Sequence, residues 1–216
     1  MEKRILLKSK AQWIQDDQWV IRNRLVPFSE SLEIQIQEIT LGPETEILLS
    51  SGDDRIEMIL PLLGEVVLEQ TDAVRYGNLW TRLFSKKDSL SVKNATPTDS
   101  IHILRVCLPH ELNNDFLAPL ELEDFEGDIR KVWESPSHST GIKVYSLFLS
   151  KFKEKQSAEF KAESSILAMP HAGVFEFQDI LLDQGDCLQV FKPGSMKIKC
   201  LAPEGQILIL EVHEAA

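Results

Sequence analysis

Apolar and polar residues alternate with a period of two along most of this chain, the spacing that sets one face of a β-strand against a core and the other in water. In LEIQIQEITL, residues 32–41, Leu32, Ile34 and Ile36 fall on one face and Glu33, Gln35 and Gln37 on the other, and Gly42-Pro43 ends the run. The same reading predicts strands in EILLS, RIEMILPLL, EVVLEQ, LWTRLF, SLSVKN and IHILRVCL, with no amphipathic helix of ten or more residues in the first hundred. After Pro109 the character changes. HELNNDFLAPLELEDFEGDIRKVWESPSHSTG is acidic, is interrupted by Pro119 and Pro136, and has no sustained periodicity, as a connector would. Strands resume from Ile142 with IKVYSLFLSKF, SAEFKA, SSILAMP, GVFEFQD, CLQVFKP, MKIKCLA and QILILEV. The expectation is an all-β chain of two small barrels or sandwiches in tandem, residues 1–110 and 141–216, with a connector at 111–140.

Composition narrows the function classes. A chain of 216 residues with 43% hydrophobic positions can bury a core in either one large domain or two small ones. Its net charge of −11 argues against nucleic acid and anionic membrane surfaces, since both partners are polyanions that attract lysine and arginine. The N-terminal MEKRILLKSKAQW carries positive charge but only a short apolar run, and no segment approaches the length of a membrane span, so the expected location is cytoplasmic. Cys107, Cys187 and Cys200 are odd in number and far apart, which suggests buried free thiols in place of a disulfide framework or a zinc site. Exposed edge strands are compatible with a monomer or a homodimer.

The stretch LSSGDDRIEMILPLLG, residues 49–64, carries the next step. Glu57 and Gly64 have the glutamate-to-glycine spacing of the first cupin motif. LLKSKAQWIQDDQWVIRNRLVPF runs through Trp19 to Phe28, IHILRVCLP closes a strand on a Leu-Pro, and Leu182-Asp183-Gln184-Gly185-Asp186 forms a Leu-x-x-Gly-Asp turn. In order and spacing the chain resembles the pirin and quercetin-dioxygenase-like two-cupin proteins over nearly its whole length. The resemblance implies two jelly-roll-like, double-stranded β-helix barrels. It also implies a metal in the first barrel, and there the sequence departs from the pattern. The His-x-His positions fall at Ser51 and Asp53, or at Ser50 and Gly52; the late histidine position falls at Asn94 and its following glutamate at Thr96. In the second barrel the corresponding positions are Phe160, Ala162, Ile166 and Leu188. A mononuclear redox metal requires several imidazoles with a carboxylate and an open coordination position. The expectation is therefore no metal and no cofactor, and a non-catalytic binding or regulatory protein for a small molecule or a protein partner, with Ser51, Asp53, Glu57, Asn94 and His102 at the first barrel's mouth.

Other readings stay open from the residues alone. Asp53 and Glu57 suit a hard cation better than a redox metal, and Arg55 is the nearest partner for the acids. A quercetinase-type oxygenase would need displaced ligands such as Asp53, Glu57, His102 or His110. A metal-free isomerase or epimerase would need an acid/base pair, for which His102 with Tyr76 is the first-domain candidate. Trp80, Phe84, Tyr76 and Arg82 are candidates to line the barrel mouth, with core packing as the competing role. His102 alternates with Ile101 and Ile103 and so shares a face with Leu104 and Val106.

Overall fold

A computed structural model describes residues 2–29, 32–50, 53–69, 72–76, 78–85, 87–109, 120–121, 127–135 and 144–213. In chain order the strands are β1 (Lys3–Leu6), β2 (Gln12–Gln15), β3 (Trp19–Ser29), β4 (Leu32–Leu41), β5 (Glu46–Ser50), β6 (Arg55–Leu63), β7 (Glu65–Leu68), β8 (Asp72–Arg75), β9 (Asn78–Phe84), β10 (Ser89–Lys93), β11 (Ile101–Pro109) and β12 (Leu120–Glu121). They continue with β13 (Arg130–Glu134), β14 (Val144–Lys153), β15 (Ser157–Ala162), β16 (Ser165–Ala172), β17 (Phe175–Phe177), β18 (Ile180–Leu182), β19 (Cys187–Val190), β20 (Gly194–Cys200) and β21 (Glu204–His213). The helical content among the described residues is one short 3-10 turn, Lys8–Lys10.

The chain folds into two compact units, one of Ala11–Glu123 and one of Met1–Lys10 with Asp124–Ala216. This division differs from the expected 1–110, 111–140 and 141–216 at two places. The N-terminal strand β1 pairs antiparallel with β19, from Lys3 opposite Val190 to Leu6 opposite Cys187, so it belongs to the second unit. Within the expected connector, β13 pairs with β14 in the second unit and β12 pairs with β9 in the first. No local signal in KRIL reveals its assignment, because it is decided by a partner strand far along the chain, and RKVWE, although it pairs with the strand that follows it, lacks the alternation that would mark it.

In the first unit a seven-stranded sheet, ordered β12-β9-β6-β11-β4-β3-β2, lies with a four-stranded sheet, β5-β10-β7-β8. The two-sheet jelly-roll arrangement turns alternate residues of each strand inward. Ile39 and Leu41 of β4, Ile59 of β6, Trp80 and Phe84 of β9, and Ile101 and Ile103 of β11 meet Leu49, Val66, Leu68, Val74, Leu90 and Val92 in one core. Gly64, at φ +82°, makes the turn out of β6, and a Cβ there would sit 2.7 Å from the Ile101 side chain. The second unit repeats the plan: six strands ordered β1-β19-β16-β21-β14-β13 and four ordered β15-β20-β17-β18. Its core gathers Phe152, Phe160, Phe175, Phe177, Ile166, Ile198, Ile207 and Ile209.

Candidate functional site

The interior face of the first barrel carries its apolar core along most of each strand and changes to polar residues at one end. Glu57 follows the parity of Ile59 on β6, Arg105 that of Ile101 and Ile103 on β11, and Gln37 that of Ile39 and Leu41 on β4. The register brings them together, with Arg105 opposite Gln37 and Cys107 opposite Glu57. Glu57 is 0% exposed and Arg105 2%. The guanidinium grips the carboxylate with two groups: Nε donates to Glu57 Oε2 at 3.1 Å and Nη2 donates to Oε1. Nη1 donates to Gln37 Oε1 at 2.8 Å, and Nη2 also reaches the Ser50 carbonyl oxygen at 3.4 Å. A buried charge is tolerated when it is paired and its remaining hydrogen-bonding groups are satisfied, and this cluster meets both conditions.

A second polar layer lies one step toward the strand ends. Arg55 Nη1 donates to Gln35 Oε1 at 3.0 Å, and Gln35 Nε2 donates to Asn23 Oδ1 at 3.0 Å. Arg55 also approaches the Asp53 carboxylate, at 3.7 Å. Arg55 therefore does partner one of the acids beside it, Asp53, whereas Glu57 is taken by Arg105, which lies 48 positions away in sequence. Cys107 is buried in the same region. Burial pushes its thiol pKa up; the Arg105 guanidinium pulls the other way, and the Glu57 carboxylate adds to the rise.

The sequence-predicted site residues do not converge. Asp53 is on the surface, with 78% of its side chain exposed, while Glu57 is inside the barrel. Asn94, 0% exposed, serves the backbone: its Nδ2 donates to the carbonyls of Leu41, Gly42 and Asp99 at 3.2, 2.8 and 2.7 Å. Its Oδ1 accepts from the Thr96 N–H at 3.0 Å and the Thr96 hydroxyl at 2.7 Å. That pattern fixes the turn after β4 against the chain after β10, and both polar ends of the Asn94 amide are occupied. His102 does share the face of Leu104 and Val106, as alternation predicts, and so turns away from the barrel interior that holds Glu57. Burial, reinforced by the positive charge of Arg22, lowers the His102 pKa. Tyr76 is 44% exposed in the turn after β8. With His102 outside the interior, the His102–Tyr76 acid/base pair has no place in the barrel. Ser51 and His110 lie outside the described residues. Trp80 and Phe84 are core side chains with ring centroids 6.1 Å apart, and Arg82, ion-paired with Glu69, covers the Phe84 ring.

Each Glu57 carboxylate oxygen accepts from the Arg105 guanidinium, the Asn94 nitrogen is a donor facing three carbonyls, and among the described residues no three His, Cys, Asp or Glu side chains come together.

In the second barrel, Phe160, Ala162, Ile166 and Leu188 occupy the positions expected of ligands and are all buried in its apolar core. The polar residues there are ones that spacing did not single out. Glu211, near the end of β21, lies opposite Ser146 on β14 and Ile166 on β16. Its Oε1 accepts the backbone N–H of Glu163 and Ser164 at 3.1 and 3.2 Å. Its Oε2 is 3.5 Å from His213 Nε2, and the other ring nitrogen, Nδ1, is 3.0 Å from the Ser164 hydroxyl. Both His213 and Glu211 lie in EVH, where alternation places them on one face; their serine partner, 49 positions earlier, has no sequence signal.

No protein-family model matches the chain, and no curated protein matches it by sequence. Solved structures do match in fold. Bacterial pirin YhhW from Escherichia coli, in complex with nickel(II), aligns at a TM-score of 0.75 and 10% identity, over 97% of this chain and 98% of that one. A conserved protein of unknown function from Pseudomonas aeruginosa aligns at 0.62 and 9% identity, over 99% and 100% of the two chains. An oxalate decarboxylase variant from Bacillus subtilis aligns at 0.66 and 13% identity, over 96% of this chain and 76% of that one. The chain thus shares the two-barrel, jelly-roll fold of these structures, as the motif order predicts.

Proposed function

We propose that this two-cupin chain has lost the metal centre of its first barrel and works there as a non-catalytic binding or regulatory protein. The observation that carries the reading is the Glu57–Arg105 pair. The carboxylate in the glutamate position of the first cupin motif is enclosed and neutralised by a guanidinium, which supplies a permanent positive charge of the protein's own. A divalent ion entering beside Glu57 would have to displace that charge and meet a donor set without imidazole, and both terms oppose binding. The side-chain amide of Asn94, turned to the backbone, supports the same conclusion. We expect no cofactor, a small molecule or protein as partner, and a cytoplasmic location in keeping with the acidic composition.

The test is metal analysis of the purified protein after separate incubation with iron, nickel, copper, manganese and zinc, followed by gel filtration. Metal well below one equivalent supports the reading; one tightly held equivalent of a redox metal overturns it. Oxygen uptake with a flavonol, abolished by substituting Asp53 and Glu57, would establish the quercetinase-type alternative instead.

A further inference from the structure

The structure assigns a second, separate site to the other barrel: Ser164, His213 and Glu211 form a nucleophilic serine site that takes small activated carboxylic esters. It goes beyond the reading of the first barrel and does not depend on it. A serine hydroxyl is a poor nucleophile until a neighbouring base can take its proton, and that base works best when a third group holds its ring. All three parts are present. Ser164 Oγ lies 3.0 Å from His213 Nδ1, within hydrogen-bond reach. The Glu211 carboxylate stands 3.5 Å from His213 Nε2, which favours the tautomer with the proton on Nε2 and leaves the Nδ1 lone pair to accept from Ser164. Glu211 is itself fixed by the backbone N–H groups of Glu163 and Ser164, so the carboxylate and the nucleophile are tied through the same turn.

Two further observations point to a ligand. The hydroxyl of Ser146, 0% exposed and directly across from Glu211 on the neighbouring strand, has no hydrogen-bond partner among the described residues, so a donor is left over in the same layer. His213, with 37% of its side chain exposed, keeps the site open to solvent on one side, whereas Glu211 is nearly closed off at 8%. In the reaction, Ser164 Oγ adds to the ester carbonyl carbon as His213 Nδ1 takes its proton. The bond to the leaving alcohol then breaks and the alcohol carries that proton away. Water, deprotonated by the same imidazole, hydrolyses the Ser164 ester to the carboxylic acid. Ser164 and His213 are the catalytic residues; Glu211 is a positioning residue.

The experiment treats the full-length protein with a fluorophosphonate probe. Phosphorus–fluorine cleavage forms a bond from phosphorus to Ser164 Oγ and releases fluoride, and the labelled residue is read by peptide mass spectrometry. We expect one equivalent on Ser164, none on Ser164→Ala, and labelling of His213→Ala slowed by about 100-fold, the size of a general-base contribution. Added imidazole should restore part of the His213→Ala rate, which a role confined to holding the turn would not allow. Glu211→Gln should slow labelling and shift its pH profile. Wild-type labelling no faster than that of Ser164→Ala, or label on a different residue, overturns the assignment. The metal content of the first barrel is unaffected either way, so the two readings fail separately.

Discussion

The buried ion pair gives the most demanding prediction. Replacing Glu57 by glutamine keeps the side chain's shape but removes its charge, leaving Arg105, 2% exposed, with Gln37, the Ser50 carbonyl and a neutral amide as its hydrogen-bond partners among the described residues. Breaking a buried pair from one side typically costs about 3–5 kcal/mol, because the remaining charge is dehydrated without compensation. For a protein of this size that lowers the thermal midpoint by about 6–20 °C, at roughly 2–4 °C per kcal/mol. Removing the whole network should behave differently. In Glu57→Leu/Arg105→Met the desolvation cost disappears together with the attraction, while the methionine keeps much of the packing of the arginine stem. Gln37 then loses its donor at a cost of about 1–3 kcal/mol, so the triple variant with Gln37→Leu is the proper comparison. Triple replacement should lie near the wild type or above it, by up to about 4 kcal/mol. Urea unfolding of the wild type, Glu57→Gln, the double variant and the triple variant, with midpoint and slope fitted separately, measures this directly. A Glu57→Gln variant within about 1 kcal/mol of the wild type would refute the reasoning, since a loss that small belongs to an exposed pair.

Three further outcomes are expected. Asn94→Asp should destabilise more than Asn94→Ala, which itself costs about 2 kcal/mol in urea unfolding, because a carboxylate would face the three carbonyls that the amide now serves. His102, whose folded pKa lies below the ordinary 6.5, takes its proton more readily when unfolded; stability should therefore be full above pH 6.5 and fall as pH drops below it. His102→Gln should remove that part of the slope in unfolding measured between pH 7 and pH 5, and an unchanged slope would refute the assignment. All three cysteines are buried, and the pKa values of Cys107 and Cys200 are raised chiefly by burial, so a disulfide reagent at pH 8 should react slowly with the folded protein and titrate three thiols in urea.

Much of the fold is legible in the sequence because period-two alternation is a local property. LEIQIQEITL and IHILRVCLP read as strands and are strands, and the parity that puts His102 with Leu104 holds. The boundaries between units are less legible, since β1 is placed by a partner far along the chain and β13 lies in a stretch without sustained periodicity. The site follows the same division. Glu57 and Gly64 report the architecture through their spacing, but the fate of the Glu57 carboxylate depends on Arg105, an arginine set among apolar residues in an inward-facing register. That irregularity in IHILRVCL is the one sequence signal for the pair. Asn94 is placed by motif spacing in a ligand position, and only its backbone partners disclose that it braces a turn. The Ser164–His213–Glu211 group is assembled from a turn and a strand end, which alternation does not connect.

The pairing of β1 with β19 also dictates an order of assembly. During synthesis the ribosome delivers Lys3–Leu6 before the first unit and Cys187–Val190 well after it, so β1 waits unpaired while the whole of the first unit, contiguous from Ala11, is made and can fold. The β1–β19 ladder joins residues among the most distant in sequence, a contact whose formation is slow for entropic reasons. The same strand acts as a tether: a protease cut between Glu121 and Arg130 severs the chain, yet the N-terminal fragment still contributes an edge strand to the C-terminal sheet, and the two fragments should travel together through gel filtration.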